Sequence, residues 1–310
     1  MRNKYLLFGI IFIVVTVCFS GCTDTNKISN SEGNNNEGNP PGPPGLPHRI
    51  LSATSTDEDG LIWVKDNILI SDRASVPDAV FNGENIMVYV AKWGIRVAIS
   101  SDGVNWTEKE VKISGIPDGK GACDPDVVLL QNGTYRLYYY ENQMGMDPQM
   151  EGMDPAQIPG PHSIYVAISD DGINFRRDHE VYAQEWITDP DVIQMGDVWR
   201  MFVSDGTRVI STISYDNGST FTFERELQIG GSITSTISVP GGYRMYYHAP
   251  ETPPCIYSTF SSDGITWVKD TGVRVSAGSP GSLDENGAEA ASVIKMSDGS
   301  YRLYYLSRYE

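Results

Sequence analysis

The sequence predicts an all-β protein, a five-bladed β-propeller with four antiparallel strands in each blade. Two strings of residues alternate along the chain, and each recurs five times in the region of residues 49–310. The aromatic residue that ends the first string recurs after 43, 69, 46 and 46 residues. Apart from the long interval, this is the length of a four-stranded blade. Each end of the repeat region supplies half of a unit, which indicates a closed ring.

The first string is a turn of the form Ser-x-Asp-Gly followed by an aromatic residue. Aspartate can accept hydrogen bonds from turn amides, glycine permits a positive φ, and the aromatic ring can pack between two sheets. The five copies occupy residues 55–63, 100–106, 169–175, 214–221 and 261–267. We interpret Asp102, Asp171, Asp216 and Asp263 as structural, because the five copies of the turn cannot each be an active site.

The second string is a β-hairpin. Each copy has a short apolar strand, a tight turn that contains glycine, and a strand with alternating aromatic residues. The copies occupy residues 76–90, 124–140, 189–203, 235–247 and 289–305. The hairpin supplies strands A and B of a blade, and the segments before and after each aspartate turn supply strands C and D.

The two ends of the repeat region complement each other. The chain stops after a strand B at Glu310, and the region begins with a strand C in residues 48–60 and a strand D in residues 64–70. Joining the two halves completes a fifth blade and pairs edges that would otherwise be open. We therefore expect residues 49–310 to form one closed domain.

Residues 1–22 have the features of a signal peptide. A basic start precedes an apolar run from Tyr5 to Phe19, which is short for a membrane-spanning helix. The string Phe-Ser-Gly-Cys resembles the end of a lipoprotein signal, in which the cysteine, here Cys22, receives a lipid. Residues 23–48 are rich in Asn, Ser, Gly and Pro and predict a disordered tether. We expect an exported protein anchored at the outer face of the cytoplasmic membrane or at the cell surface. An ordinary signal peptide or an uncleaved anchor is the alternative.

The composition limits the partners. The chain has 40 acidic and 23 basic residues and a formal net charge of −17. This charge argues against nucleic acid and against an anionic lipid surface. No zinc, P-loop or dinucleotide motif appears, so we expect no catalytic metal or cofactor, and we expect a monomer. A disulfide between Cys123 and Cys255 could form after export, although it would join blades that are not neighbours.

The first position of strand A differs between the copies. Strand A lines the axis of a propeller, so its first residues face the mouth of the central channel. Our alignment places Val76, Asp124, Asp189, Ser235 and Glu289 at this position. The carboxyls of Asp124, Asp189 and Glu289 therefore converge on one funnel, and these three are the candidate catalytic residues.

A second set of aspartates lies two residues further along strand A, at Asp78, Asp126 and Asp191. Their repetition favours a structural role, in which each carboxyl bonds a backbone amide near the axis. A cation or a water molecule held in the central channel is the alternative.

The ends of the B strands reach the same face and supply candidate substrate-binding residues. Carboxylates can bond sugar hydroxyls, and aromatic faces can stack on the C–H surface of a sugar. The candidates are Trp93, Glu141, Glu185, Trp186, Asp205, His248 and Arg308. A solvated loop surface is the alternative. A methionine-rich insertion, residues 141–162, leaves from this face and predicts a lid, one wall of the cleft or a mobile loop.

At the level of blade pattern, residues 49–310 resemble the five-bladed glycoside hydrolases typified by family 43, the arabinanases and β-xylosidases. The resemblance rests on Asp-Pro-Asp-Val at residues 124–127, Asp-Pro-Asp-Val at residues 189–192 and the aspartate turns, which also resemble the Asp-box of sialidases. It implies inverting hydrolysis by an Asp base, a second Asp that orients and tunes, and a Glu acid.

The resemblance carries over residue by residue only in part. Asp124 matches the position of the base and Asp189 that of the tuning aspartate. The expected acid position holds Ser235, which leaves Glu289 as the remaining carboxyl in register. Two functions therefore stay open. One is a cell-surface glycoside hydrolase acting on arabinosyl or xylosyl glycans, and the other is a degenerate propeller that binds glycan without cleaving it. A sialidase is disfavoured, because only Arg308 is well placed to clamp a substrate carboxylate.

Overall fold

The computed structural model describes residues 48–143, 162–206 and 208–309. Within these ranges the strands form five small sheets, and the innermost strands of neighbouring sheets contact one another around a full circle. This confirms the predicted five-bladed β-propeller. No helix in the described part of the chain is long and apolar enough to cross a membrane.

Blades 1 to 3 follow one another along the chain, each from its innermost strand outward. Blade 1 contains β3 (Ser75–Phe81), β4 (Ile86–Ala91), β5 (Ile95–Ser100) and β6 (Thr107–Glu110). Blade 2 contains β8 (Lys120–Leu129), β9 (Tyr135–Gln143), β10 (His162–Ser169) and β11 (Asn174–Gln184). Blade 3 contains β12 (Thr188–Met195), β13 (Val198–Asp205), β14 (Arg208–Ser214) and β15 (Thr222–Leu227).

Blades 4 and 5 complete the ring. Blade 4 contains β16 (Ser232–Val239), β17 (Gly242–Ala249), β18 (Cys255–Ser261) and β19 (Val268–Lys269). Blade 5 contains β20 (Glu289–Lys295), β21 (Tyr301–Arg308), β1 (His48–Ser55) and β2 (Val64–Asp72). Strand β1 pairs with β21 along its whole length, from His48 opposite Arg308 to Ser55 opposite Tyr301. The two halves of a unit therefore form one blade, as the sequence predicted.

The outer strand of blade 1 differs from its prediction. The sequence indicated one strand after Trp106, but the chain bends at the buried Val111, and Lys112–Ser114 forms a separate strand, β7. Strand β7 pairs in parallel with β11 of blade 2. The Val111 amide bonds the Ile95 carbonyl of blade 1, whereas the next amide bonds a carbonyl of blade 2. This segment therefore joins the two blades.

The aspartate turns also join blades. In blade 2, Oδ1 of Asp171 accepts hydrogen bonds from the amides of Ile173 and Asn174, both at 2.8 Å. The aromatic ring that ends each turn packs edge-on against a ring on strand B of the preceding blade. These pairs are Trp63–Tyr246, Trp106–Tyr304, Phe175–Tyr89, Phe221–Tyr138 and Trp267–Phe202. The turns therefore have the structural role that the sequence predicted.

A circle of hydrogen bonds surrounds the central axis. One polar side chain of each A strand accepts a hydrogen bond from a backbone amide of the next blade. The acceptor–donor pairs are Asp78–Val127, Asp126–Val192, Asp191–Thr236, Ser235–Val293 and Ser292–Ala79. The last pair returns to blade 1 and closes the circle. The three aspartates thus bond backbone amides, as predicted.

Burial sets the protonation of the axis carboxyls. It raises the pKa of Asp78 to about 7, raises that of Asp126 well above its usual range, and raises that of Asp191. Oδ2 of Asp126 is buried without a hydrogen-bond partner. Within the described ranges, no group of three or more His, Cys, Asp or Glu side chains is arranged to hold a metal ion.

Candidate functional site

Each A strand begins with a β-bulge at the mouth of the channel. In every blade the register of strands A and B shifts within the first residues, and one residue has a positive φ between 41° and 51°. The residues with this φ are Val76, Asp124, Asp189, Ile233 and Ala290. A bulge redirects a side chain at the end of a strand, and here the same device is repeated five times.

The bulges correct our alignment of blades 4 and 5. Ser235 was expected at the mouth, but Ile233 occupies the bulge and Ser235 lies two residues further along, in the axis circle. Glu289 was expected in register with the two aspartates, but it precedes the bulge residue Ala290. It is therefore equivalent to Cys123 and not to Asp124. The bulge position carries a carboxyl in two blades only.

Asp124 and Asp189 lie together at the mouth, on neighbouring blades. The backbone amide of Asp189 donates a hydrogen bond to the Asp124 carboxyl. The hydroxyl of Thr188 donates to Oδ2 of Asp189 at 2.7 Å. Both aspartates are only partly exposed, and no cation in the described ranges contributes to the electrostatics of either carboxyl.

The two carboxyls have raised pKa values. Burial, followed by the charge of Asp189, raises the pKa of Asp124 well above its usual range. Burial raises the pKa of Asp189 to about 6, although the Thr188 hydroxyl opposes this change. Asp124 therefore keeps its proton to a higher pH than Asp189 does. A neutral acid beside an ionised carboxylate is the arrangement used for acid–base chemistry.

Glu289 has a different environment, in blade 5. Arg308 holds it through two hydrogen bonds, from Nε to Oε1 at 2.7 Å and from Nη2 to Oε2 at 3.0 Å. The charges of Glu289 and Arg308 contribute to the pKa values of two buried histidines, His48 and His248. Burial lowers the pKa of His48 to about 4 and also lowers that of His248. Glu289 would have to break its ion pair before it could donate a proton.

Two tryptophans border the mouth. Trp93 follows strand B of blade 1 and is 58% exposed, and Trp186 precedes strand A of blade 3 and is 40% exposed. Each has a positive φ, 53° for Trp93 and 65° for Trp186, which a bulky residue rarely adopts. The exposed rings provide two flat apolar surfaces at strand ends that reach the mouth face.

The remaining predicted rim residues lie in local ion pairs or in solvent. The Glu141 side chain is buried and pairs with Arg177 at 2.8 Å. Asp205 pairs with Arg208, and Glu185 is exposed without a described partner. Cys123 and Cys255 are both free thiols, so the disulfide that the sequence left open does not form. Cys22 and most of the methionine-rich insertion lie outside the described residues.

The sequence analysis missed one residue beside the Asp124–Asp189 pair. His162 is buried between Tyr140, at a ring distance of 5.3 Å, and Trp186, at 5.7 Å. Both of its ring nitrogens are buried, and neither has a hydrogen-bond partner in the part of the chain that the structure describes. The charge of Asp124 helps to raise the pKa of Tyr140, so this cluster borders the pair. His162 and His48 both begin a C strand, and aligning the C strands would have placed them at the mouth.

No protein-family profile and no curated protein sequence matches the chain. Solved structures match its fold. An endo-1,4-β-xylanase from Bacteroides thetaiotaomicron superposes with a TM-score of 0.58 at 15% identity over 79% of this chain and 92% of that chain. A thermostable family-43 glycoside hydrolase superposes with a TM-score of 0.54 at 15% identity over 76% and 90%. A family-43 β-1,3-galactosidase with bound galactodeoxynojirimycin superposes with a TM-score of 0.55 at 11% identity over 80% and 94%. The chain thus shares the propeller fold of these glycoside hydrolases.

Proposed function

We propose that the protein is a glycoside hydrolase whose acid–base pair is Asp124 and Asp189. One observation carries the proposal: two carboxyls with raised pKa values lie together at the mouth, and no cation among the described residues neutralises them. Such groups cost folding free energy, and they are concentrated in active sites.

The fold itself does not require these two carboxyls. The bulge position is apolar in the other three blades, where Val76, Ile233 and Ala290 occupy it. The same backbone conformation therefore forms with no acid at this position. This separates Asp124 and Asp189 from the axis carboxyls, whose places in the other blades are taken by hydrogen-bonding serines.

The protonation states support a division of roles. Asp124 would donate its proton to the glycosidic oxygen as the C–O bond to the leaving sugar breaks. Asp189 would take a proton from the water molecule that adds to the anomeric carbon. This division gives the acid role to Asp124 and leaves Glu289, held by Arg308, to position the substrate. It differs from the division that the family resemblance implied, because the acid position of that family is apolar here.

The rim supports a sugar as the substrate. The exposed faces of Trp93 and Trp186 can stack on sugar rings. The structural neighbours are named for xylan and β-1,3-galactoside cleavage. Arabinosyl, xylosyl and galactosyl glycans are therefore the first substrates to test.

A glycan screen with matched variants tests this function. The full chain is incubated with aryl glycosides and with plant and microbial polysaccharides, and released sugar is quantified for wild type, D124N, D189N and D197N. Asp197 is an exposed aspartate in the turn between β12 and β13 and serves as the control. General acid–base catalysis contributes roughly 10²- to 10⁴-fold, so D124N and D189N should lose about that much while D197N keeps full activity. Equal residual activity in the three variants would overturn the assignment.

Glycan binding without cleavage is the second candidate. Ile233 at the position of the family's acid and the ion pair of Glu289 both favour it. It predicts saturable binding by calorimetry with no released sugar. W93A and W186A should weaken that binding, whereas Y215A, which removes a ring that is 79% exposed on the far face, should not. Released sugar that depends on Asp189 would exclude this candidate.

We also propose export and lipid anchoring through Cys22. The support is the sequence of residues 1–22, which lie outside the described part of the chain. Labelling cells with a fatty-acid analogue should mark wild type and leave C22A unlabelled.

A further inference from the structure

We infer that a cleft on the mouth face of blade 5 binds a carboxylate carried by the glycan, as in a uronic acid residue. The inference rests on the proposed function only in taking a glycan as the ligand. The cleft is open and has a volume of about 350 Å³. Its lining residues are Arg49, Leu283, Glu285, Asn286, Arg308 and Tyr309.

Arg49 lines the cleft and Arg73 lies beside its lining residue Tyr309, and neither arginine has an acidic partner in the described part of the chain. Arg49 donates a hydrogen bond to the Leu283 carbonyl at 2.9 Å, and its guanidinium lies over the Tyr309 ring at 4.0 Å. Arg73 lies 5.8 Å from the same ring. Neither Arg49 nor Arg73 forms an ion pair with a carboxylate among residues 48–143, 162–206 and 208–309. Nine other arginines in these ranges do form an ion pair with an Asp or Glu side chain. Arg49 and Arg73 therefore carry positive charge that no carboxylate within hydrogen-bond reach neutralises in the described ranges, in a chain of net charge −17.

The acids near the cleft have hydrogen-bond partners other than Arg49 and Arg73. Glu289 is held by Arg308, and Oε2 of Glu285 accepts the Gly281 amide at 2.6 Å. Asp72 accepts a hydrogen bond from the hydroxyl of Tyr309. The positive charges of Arg49 and Arg73 are therefore open to a ligand. The planar guanidinium fork matches a carboxylate in two parallel hydrogen bonds.

The cleft lies on the same face as the Asp124–Asp189 pair but in a different part of the ring. Arg49 is at the start of β1, Arg308 at the end of β21, and Arg73 between β2 and β3, all at the mouth end of their strands. Blade 5 is separated from blades 2 and 3 by blades 4 and 1. The cleft would therefore hold a sugar unit other than the one cleaved. The negative charge elsewhere on the protein is screened beyond about 8 Å at physiological salt, so it does not prevent local binding.

Calorimetry on the full chain tests the inference with three probes. These are a uronate oligosaccharide, the same oligosaccharide with its carboxyls reduced to alcohols, and a sulfated neutral oligosaccharide of equal length. The variants are the R49Q/R73Q double substitution and R176Q, a control that removes an exposed arginine of blade 2. Charge-assisted hydrogen bonds should make wild type and R176Q bind the uronate about tenfold more tightly than its reduced form. In R49Q/R73Q the two affinities should agree within about twofold.

Three results would overturn the inference. They are equal affinity of wild type for the acidic and reduced forms, an unchanged preference in R49Q/R73Q, and tighter binding of the sulfated probe than of the uronate. Absence of binding to either form counts as the first of these. Because binding is measured, failure of hydrolysis does not affect the result. Conversely, cleavage of neutral glycans that depends on Asp189 would leave the proposed function intact even if the carboxylate subsite were wrong.

Discussion

The backbone amide of Asp189 donates a hydrogen bond to the carboxyl of Asp124, and this contact brings acidic residues of neighbouring blades together at the mouth. The contact depends on the β-bulge that begins each A strand, because only the bulge residue has its side chain at this place. All five blades have the bulge, but only blades 2 and 3 have an acidic residue at it. The proposed site thus results from aspartates at two of the five equivalent bulge positions.

The pH dependence of hydrolysis should reflect the ionisation of the Asp189 carboxyl. Its pKa is about 6, so kcat/KM should fall as the pH drops below about 6 and the carboxylate becomes protonated. The Thr188 hydroxyl favours the ionised form, so T188V should raise the pKa further and move the acidic limb to higher pH. T107V, which changes an exposed threonine of blade 1, should leave the profile unchanged. An unshifted limb in T188V would contradict the role of Asp189.

The axis carboxyls should make the fold less stable as the pH rises. Between about pH 4 and pH 7 the folded state keeps protons on Asp78 and Asp126 that the unfolded chain has lost. The free energy of unfolding should therefore be higher near pH 5 than near pH 8. D126N keeps an acceptor for the Val192 amide and removes one of these titrations, so it should be the more stable protein near pH 8, by about 1–3 kcal/mol. Urea unfolding at both pH values measures this, and identical pH dependence in D126N and wild type would be the contrary result.

The aspartate turns should contribute to stability without affecting the site. Asp171 accepts two turn amides and the hydroxyl of Ser169. D171A should therefore lower the free energy of unfolding by about 1–3 kcal/mol, the cost of leaving such donors unpaired. D170A removes the neighbouring exposed aspartate and should change stability by less than about 0.5 kcal/mol. Equal effects of the two substitutions in thermal unfolding would show that the turn bonds are unimportant.

Close contact between blades should distinguish two glycines with positive φ. A Cβ at Gly172 would lie 2.7 Å from the hydroxyl of Tyr89, on the preceding blade, whereas a Cβ at Gly133 would meet nothing within 4 Å. Both alanine substitutions incur the cost of a positive φ, about 1 kcal/mol. G172A must in addition displace a buried ring, so its unfolding midpoint should be clearly lower than that of G133A. The reverse order would argue against the described packing between blades.

Much of the fold could be predicted, because each blade corresponds to one copy of the repeated sequence pattern. The turn aspartates, the aromatic residues and the complementary ends predict the blades and their closure, and Asp-Pro-Asp marks the bulge in blades 2 and 3. The division of the outer strand at Val111 could not be predicted, since the local alternation is the same on both sides of it.

The site was predicted less well. Blade 4 has Ile-Thr-Ser and blade 5 has Ala-Ala-Ser where blades 2 and 3 have Asp-Pro-Asp, so nothing in the sequence marks the bulge at Ile233 or at Ala290. Our alignment therefore moved Ser235 to the mouth and set Glu289 in register with Asp124. The ion pair of Glu289 with Arg308 joins strands A and B of one blade, and only the folded register shows it.

The activity of D189N on a glycan that the wild-type protein cleaves is the most direct test of the central claim. The account predicts that kcat/KM falls by about 10²-fold or more in D189N, while D197N keeps the wild-type value. Circular dichroism should show that both variants are folded. A D189N protein that is folded and retains wild-type kcat/KM would contradict the claim that the Asp124–Asp189 pair carries out the reaction.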